Sequence, residues 1–90
     1  MEVYLHHIVE KYLERLNEAD RSRIKTALEG LKKEPPEGNI RPYEGTRDIW
    51  RLKVSSGHRA LFKIEDDTIL VTHIEPRGQA YTKKTRKRRS

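Results

Sequence analysis

The apolar residues of this chain change their spacing part-way along, and that change constrains the fold more than any single motif does. Ile8, Tyr12, Leu13 and Leu16 recur at i, i+4, i+5 and i+8, one face of an amphipathic helix that starts near His7. Asn17 reads as its stop. Asp20 reads as the N-cap of a second helix, with Ile24, Ala27, Leu28 and Leu31 as its apolar stripe. Lys32 and Lys33 fall in its expected last turn, where cations suit the helix dipole. Pro35-Pro36 then ends it, because proline cannot continue the hydrogen-bond ladder and disfavours helix in the residue before it. Two helices with so short a link form an antiparallel hairpin.

Residues 34–46 hold three Pro and two Gly in thirteen positions and read as loop. Beyond them the period is two. Trp50, Leu52 and Val54 alternate with Arg51 and Lys53. Ser55-Ser56-Gly57 is a tight turn, and a second strand follows from His58 to Ile64, with Ala60, Phe62 and Ile64 on one side. Asp66-Asp67 turns again into a third strand, Thr68 to Ile74. Both of its faces are apolar, which suits a central strand covered on both sides. Glu2 to His6 alternate weakly and add a short strand at the start. The order is β-α-α-β-β-β, an α+β domain in which the helical hairpin covers one face of an antiparallel sheet. The other face is left at least partly open.

Composition sets the limits. Ninety residues make one small domain. Leu, Ile, Val and Phe number only 20, so the core is small. Of the 20 cations, Lys83, Lys84, Arg86, Lys87, Arg88 and Arg89 crowd the last eight residues; the other 14 balance the 14 acids, so the excess of +6 belongs to the tail. The expected organisation is a domain over residues 1–82 and a flexible basic tail over 83–90. No apolar run is long enough to cross a bilayer and no secretory h-region is visible, so no membrane role is expected. Without Cys there is no disulfide framework and no thiolate nucleophile, and the default compartment is the cytoplasm.

The chemistry-bearing residues are the cations. Strand side chains alternate, so Arg51 and Lys53 point away from Trp50, Leu52 and Val54. Across the turn, Arg59 lies opposite the Ala60, Phe62 and Ile64 set. If the apolar sets share the covered face, Arg51, Lys53 and Arg59 share the open one, with no acid between them. Solvated charges are the ordinary content of an open sheet face. Three cations together, with Arg77 after the last strand, instead suggest an anionic partner, and phosphate fits the planar fork of arginine. The four His lack a metal-binding pattern, so neither metal nor cofactor is expected. His58 alternates onto the core side or the turn, and His73 is a proton-transfer candidate. Glu75, Asp66 and Asp67 read as turn and strand-end residues.

The stretch from Tyr43 to Phe62, with Trp50-Arg51-Leu52-Lys53 and Gly57-His58-Arg59-Ala60-Leu61-Phe62, resembles the core signature of the RelE/ParE toxin superfamily. The hairpin before it and the Arg77 to Tyr81 stretch after it match in order, so the resemblance covers residues 2 to about 82. The ending Pro76-Arg77-Gly78-Gln79-Ala80-Tyr81 is similar to RelE proteins of archaeal type. The resemblance implies a RelE-like fold, a RelB-type antitoxin that silences the toxin, and metal-independent cleavage of mRNA in the ribosomal A site. There the 2′-hydroxyl of one nucleotide attacks the adjacent phosphorus. Carried onto this chain, it implies catalytic roles for Arg51, Lys53, Arg59, Arg77 and Tyr81. RNA contacts are expected from Arg47, Lys63 and the tail residues Lys83, Lys84, Arg86 and Lys87. Arg51 stands where the family usually has Lys, and arginine cannot serve as a base. The base is therefore left among Lys53, Tyr81 and His73. A ParE-type inhibitor of DNA gyrase shares the fold and is the first alternative. A non-catalytic RNA- or ribosome-binding module is the second.

Overall fold

The computed structural model describes residues 1–76, and within them the element order is β1 (Glu2–Leu5), α1 (His7–Arg15), α2 (Glu18–Gly30), β2 (Asn39–Pro42), β3 (Trp50–Lys53), β4 (Arg59–Glu65) and β5 (Thr68–Glu75). The five strands form one sheet in the order β1-β5-β4-β3-β2. The α+β architecture expected from the sequence is present, with both helices on one face of the sheet.

Two features of the sheet differ from the expectation. The first strand pairs with β5 in parallel, Val3 beside Ile69 and Leu5 beside Val71, so the sheet is mixed. The helical hairpin lies between β1 and the other strands in sequence, and its length allows the crossover that parallel pairing needs. The second difference is β2, inside the stretch read as loop. Its residues pair antiparallel with β3, Ile40 opposite Leu52 and Arg41 opposite Arg51. Pro42 is tolerated because β2 is an edge strand, where a missing N–H breaks no essential ladder.

The helices begin and end for local reasons that the spacing only partly shows. At the start of α1, the ring Nδ1 of His6 accepts the Ile8 N–H at 3.1 Å. Val9 and Leu13, four apart, face the core, while Ile8 turns out and is 51% exposed. Asn17, not Asp20, caps α2: its Oδ1 accepts the Asp20 N–H at 2.8 Å, and its Nδ2 donates back to the Asp20 carboxylate at 3.3 Å. The helix closes at Gly30, before Lys32 and Lys33, well short of the prolines. A Cβ at Gly30 would stand 2.6 Å from the Glu37 carbonyl oxygen. Glycine thus lets the chain fold back against the helix end, where the Glu37 N–H bonds the Gly30 carbonyl at 2.9 Å.

The core is one cluster. Val9, Leu13, Ile24, Leu28 and Leu31 come from the helical hairpin, and Leu52, Val54, Ala60, Phe62, Ile69, Val71 and Ile74 from the sheet side. The doubly apolar character of β5 comes from a bulge. Leu61 pairs with His73 but Phe62 pairs with Val71, leaving Thr72 out of register. The extra residue shifts the alternation, so Ile69, Val71 and Ile74 all reach the covered face while Leu70 lies on the other, 36% exposed. The strand is internal to the sheet, but its second face is open rather than covered. Ile64, at the end of the core-facing set of β4, is 40% exposed. Between β3 and β4, Gly57 takes φ 97° and its N–H bonds the Val54 carbonyl at 2.9 Å, closing the expected turn.

Candidate functional site

Cross-strand register decides which side chains of the open face meet. Lys53 pairs with Arg59, and Arg59 with Glu75, which makes one row across β3, β4 and β5. In the next row Arg41 pairs with Arg51, Arg51 with Leu61, and Leu61 with His73. Directly opposed residues on one face stand with Cβ atoms about 4.5–5.5 Å apart, and like charges there destabilise the sheet. Arg51, Lys53 and Arg59 are therefore brought together as the alternation predicts, and Arg41 joins them from the edge strand.

No acid lies between these cations, but one stands at the end of their row. Glu75 lies beside Arg59, its Oε1 3.9 Å from Nη1. The Tyr43 hydroxyl, from the chain that follows β2, donates to Glu75 Oε2 at 2.6 Å. That bond spans the two intervening strands and ties the edge of the sheet to its interior. The Tyr43 phenol is raised above its ordinary value of 10.0, mainly because its hydroxyl donates to Glu75, with burial and the charge of Glu75 adding and Arg59 opposing. The phenol is thus a hydrogen-bond donor at neutral pH. Arg41, Pro42, Tyr43, Glu44, Arg51 and Arg59 line a hollow of about 700 Å³. Three guanidinium groups and an aromatic ring around one open hollow can hold a phosphodiester and its neighbouring base.

The remaining candidates scatter. Lys63 is on the open face but pairs with Leu70, four residues along β4 from Arg59 and so about 13 Å away. Arg47 is exposed in the chain before β3. His73 is exposed on the open face, while His58 is buried, its Nδ1 2.7 Å from Ser56 Oγ. Arg77, Tyr81, Lys83, Lys84, Arg86 and Lys87 lie outside the described residues. Among the described residues no group of three His, Cys, Asp or Glu is placed to hold a metal ion, and no helix is long and apolar enough to cross a membrane.

Sequence reasoning missed Arg41, Tyr43 and Glu75. Arg41 and Tyr43 sit in a segment whose prolines and glycines mask a four-residue strand. Glu75 is turned to the open face by the bulge at Thr72, since plain alternation from Ile69 and Val71 would have put it on the covered one.

Residues 3–81 match the family model described as ParE toxin of type II toxin-antitoxin system, parDE. The chain belongs to this family. Within the RelE/ParE superfamily its fold is similar to that of two solved toxins. One is in the RelB-RelE antitoxin-toxin complex from Methanococcus jannaschii: TM-score 0.69, 20% identity, covering 87% of this chain and 94% of that one. The other is the isolated E. coli RelE toxin: TM-score 0.68, 19% identity, covering 96% of both chains. No curated protein matches the sequence.

Proposed function

We propose that this toxin-family chain cuts mRNA on the ribosome, in the cytoplasm, and that a RelB-type antitoxin silences it. The reaction is metal-independent attack of a 2′-hydroxyl on the adjacent phosphorus, leaving a cyclic phosphate and a 5′-hydroxyl. The observation that carries this reading is the pair of neighbouring rows, Lys53 with Arg59 and Arg41 with Arg51, of which Arg41, Arg51 and Arg59 line one hollow. Such a face is electrostatically unfavourable alone and favourable once a phosphate is bound. The pentacovalent transition state gains negative charge, and preorganised guanidinium groups lower its energy. Arg51, Lys53 and Arg59 hold the scissile phosphate, with Arg77 and Tyr81 as further catalytic residues. Arg47 and Lys63 extend the RNA contact.

The basic tail, with Lys83, Lys84, Arg86 and Lys87, is proposed as a separate hold on the RNA backbone. Deleting residues 83–90 should weaken ribosome association and flatten its salt dependence, by up to about 0.7 in log–log slope for each single-strand phosphate that the tail no longer neutralises. Chemistry on bound mRNA should persist.

The test is purified toxin added to translating ribosomes, with 5′-end mapping of the mRNA. Wild type should cut within the A-site codon and leave 2′,3′-cyclic ends, and Arg59→Ala should not. The family model is named for ParE, which favours a second reading, inhibition of DNA gyrase. Intact mRNA together with a growth arrest relieved by a gyrase variant would select that reading. Salt-sensitive ribosome binding without cleavage would mark a non-catalytic module.

A further inference from the structure

The proposed reaction needs an acceptor for the 2′-hydroxyl proton. The guanidinium groups of the hollow cannot supply one, and a lysine ammonium has three donors and no acceptor. A carboxylate is an acceptor only. Glu75 ends the row that Lys53 and Arg59 form, on the strand next to Arg59. Its two oxygens stand in different surroundings. Oε2 is anchored by the Tyr43 hydroxyl at 2.6 Å, and Oε1 faces Arg59 Nη1 at 3.9 Å, too long for a tight ion pair. The side chain is 25% exposed, so it is held in place yet reachable.

We propose that Glu75 is the general base and that Tyr43 is the positioning residue that holds it. This rests on the ribonuclease reading above. With the scissile phosphate on Arg59, the neighbouring 2′-hydroxyl comes against Oε1, in the row beside it. Glu75 takes the hydroxyl proton as the bond from the 2′-oxygen to phosphorus forms. The bond from phosphorus to the 5′-oxygen breaks, its electron pair stays on that oxygen, and Lys53 Nζ supplies the proton. Both side chains return to their starting states by exchange with water. Arg59 and the Tyr43 hydroxyl stand directly against Glu75. The other charged or titratable groups of this face are His73 two residues back on its own strand, Lys53 one strand beyond Arg59, Arg51 and Arg41 in the next row, and Glu44 on the rim of the hollow.

Cleavage of mRNA on translating ribosomes should be followed at neutral pH, with kcat and KM separated, for wild type, Glu75→Gln, Glu75→Asp and Tyr43→Phe, with thermal unfolding of each. Glu75→Gln should lower kcat by about 10²–10⁴-fold with KM little changed. Glu75→Asp should recover part of the rate. Tyr43→Phe should cost less, and in kcat rather than KM, because it frees Oε2 without removing the carboxylate. If Glu75→Gln cuts at the wild-type rate, or loses rate through KM alone, Glu75 is not the base. If Glu75→Gln does not fold, the other two variants decide: an unchanged kcat in Tyr43→Phe overturns the pairing. A wild type that cuts no RNA defeats the ribonuclease reading itself, an outcome distinct from these.

Discussion

On the covered face of the sheet, Leu52, Ala60, Phe62, Ile69 and Val71 are each 1% exposed or less, while neighbours one position along, such as Arg51, Lys53, Arg59 and Leu70, are half-buried or exposed. The same strands carry both sets. The covered face joins the helices through close-packed hydrocarbon, where removal of a single methylene is felt. The open face places like charges against one another, where the sheet gains nothing by having them. Stability and the proposed RNA binding are thus assigned to faces that differ by a single alternation, and substitutions on the two faces should have different readouts.

The sharpest way to break this division is at Phe62, fully buried on the central strand β4. Phe62→Ala should cost about 3–5 kcal/mol, a large share of a small domain's stability, in denaturant titration. On the other face, Arg59→Ala should lower cleavage of ribosome-bound mRNA by about 10²–10³-fold with a far smaller loss of stability. Equal losses of stability at Phe62 and Arg59 would mean that the faces are not separable.

Arg41 tests the repulsion directly, since it pairs with Arg51 across β2 and β3. Arg41→Gln should leave stability unchanged or raise it by up to about 0.5 kcal/mol, while weakening RNA binding. The gain should shrink at high salt, where the repulsion is screened. The smallest expected effect is alkaline. The Tyr43 pKa is raised on folding, so its contribution to stability is complete below its unfolded value of 10.0 and is lost as pH rises through the higher folded value. Wild type should therefore lose more stability above pH 10 than Tyr43→Phe does, in thermal melts taken across that range.

Much of the covered face is legible in the spacing of the apolar residues. Helical spacing locates both helices, and alternation locates β3 and β4, because burial imposes a period on apolar residues whatever the fold. The spacing misplaces Ile8 by one position, and it points to Asp20 for the cap that Asn17 supplies. Both errors come from reading a period without its starting point. The edge strand β2 is hidden because a strand of four residues with Pro42 has no pattern to show. The bulge at Thr72 is equally hidden, since an inserted residue makes a one-sided strand look apolar on both faces.

By itself the sequence determined that this chain builds a small hairpin-on-sheet domain, and that Arg51, Lys53 and Arg59 leave its core on one common face. Local alternation is enough for that, because a strand's side chains have only two directions. The tertiary structure alone decided that Arg41 completes the cationic pairs and that Glu75 and Tyr43 stand among them. Those contacts join residues as far apart as Tyr43 and Glu75. Their meeting depends on strand order and register, and no period along the chain encodes either.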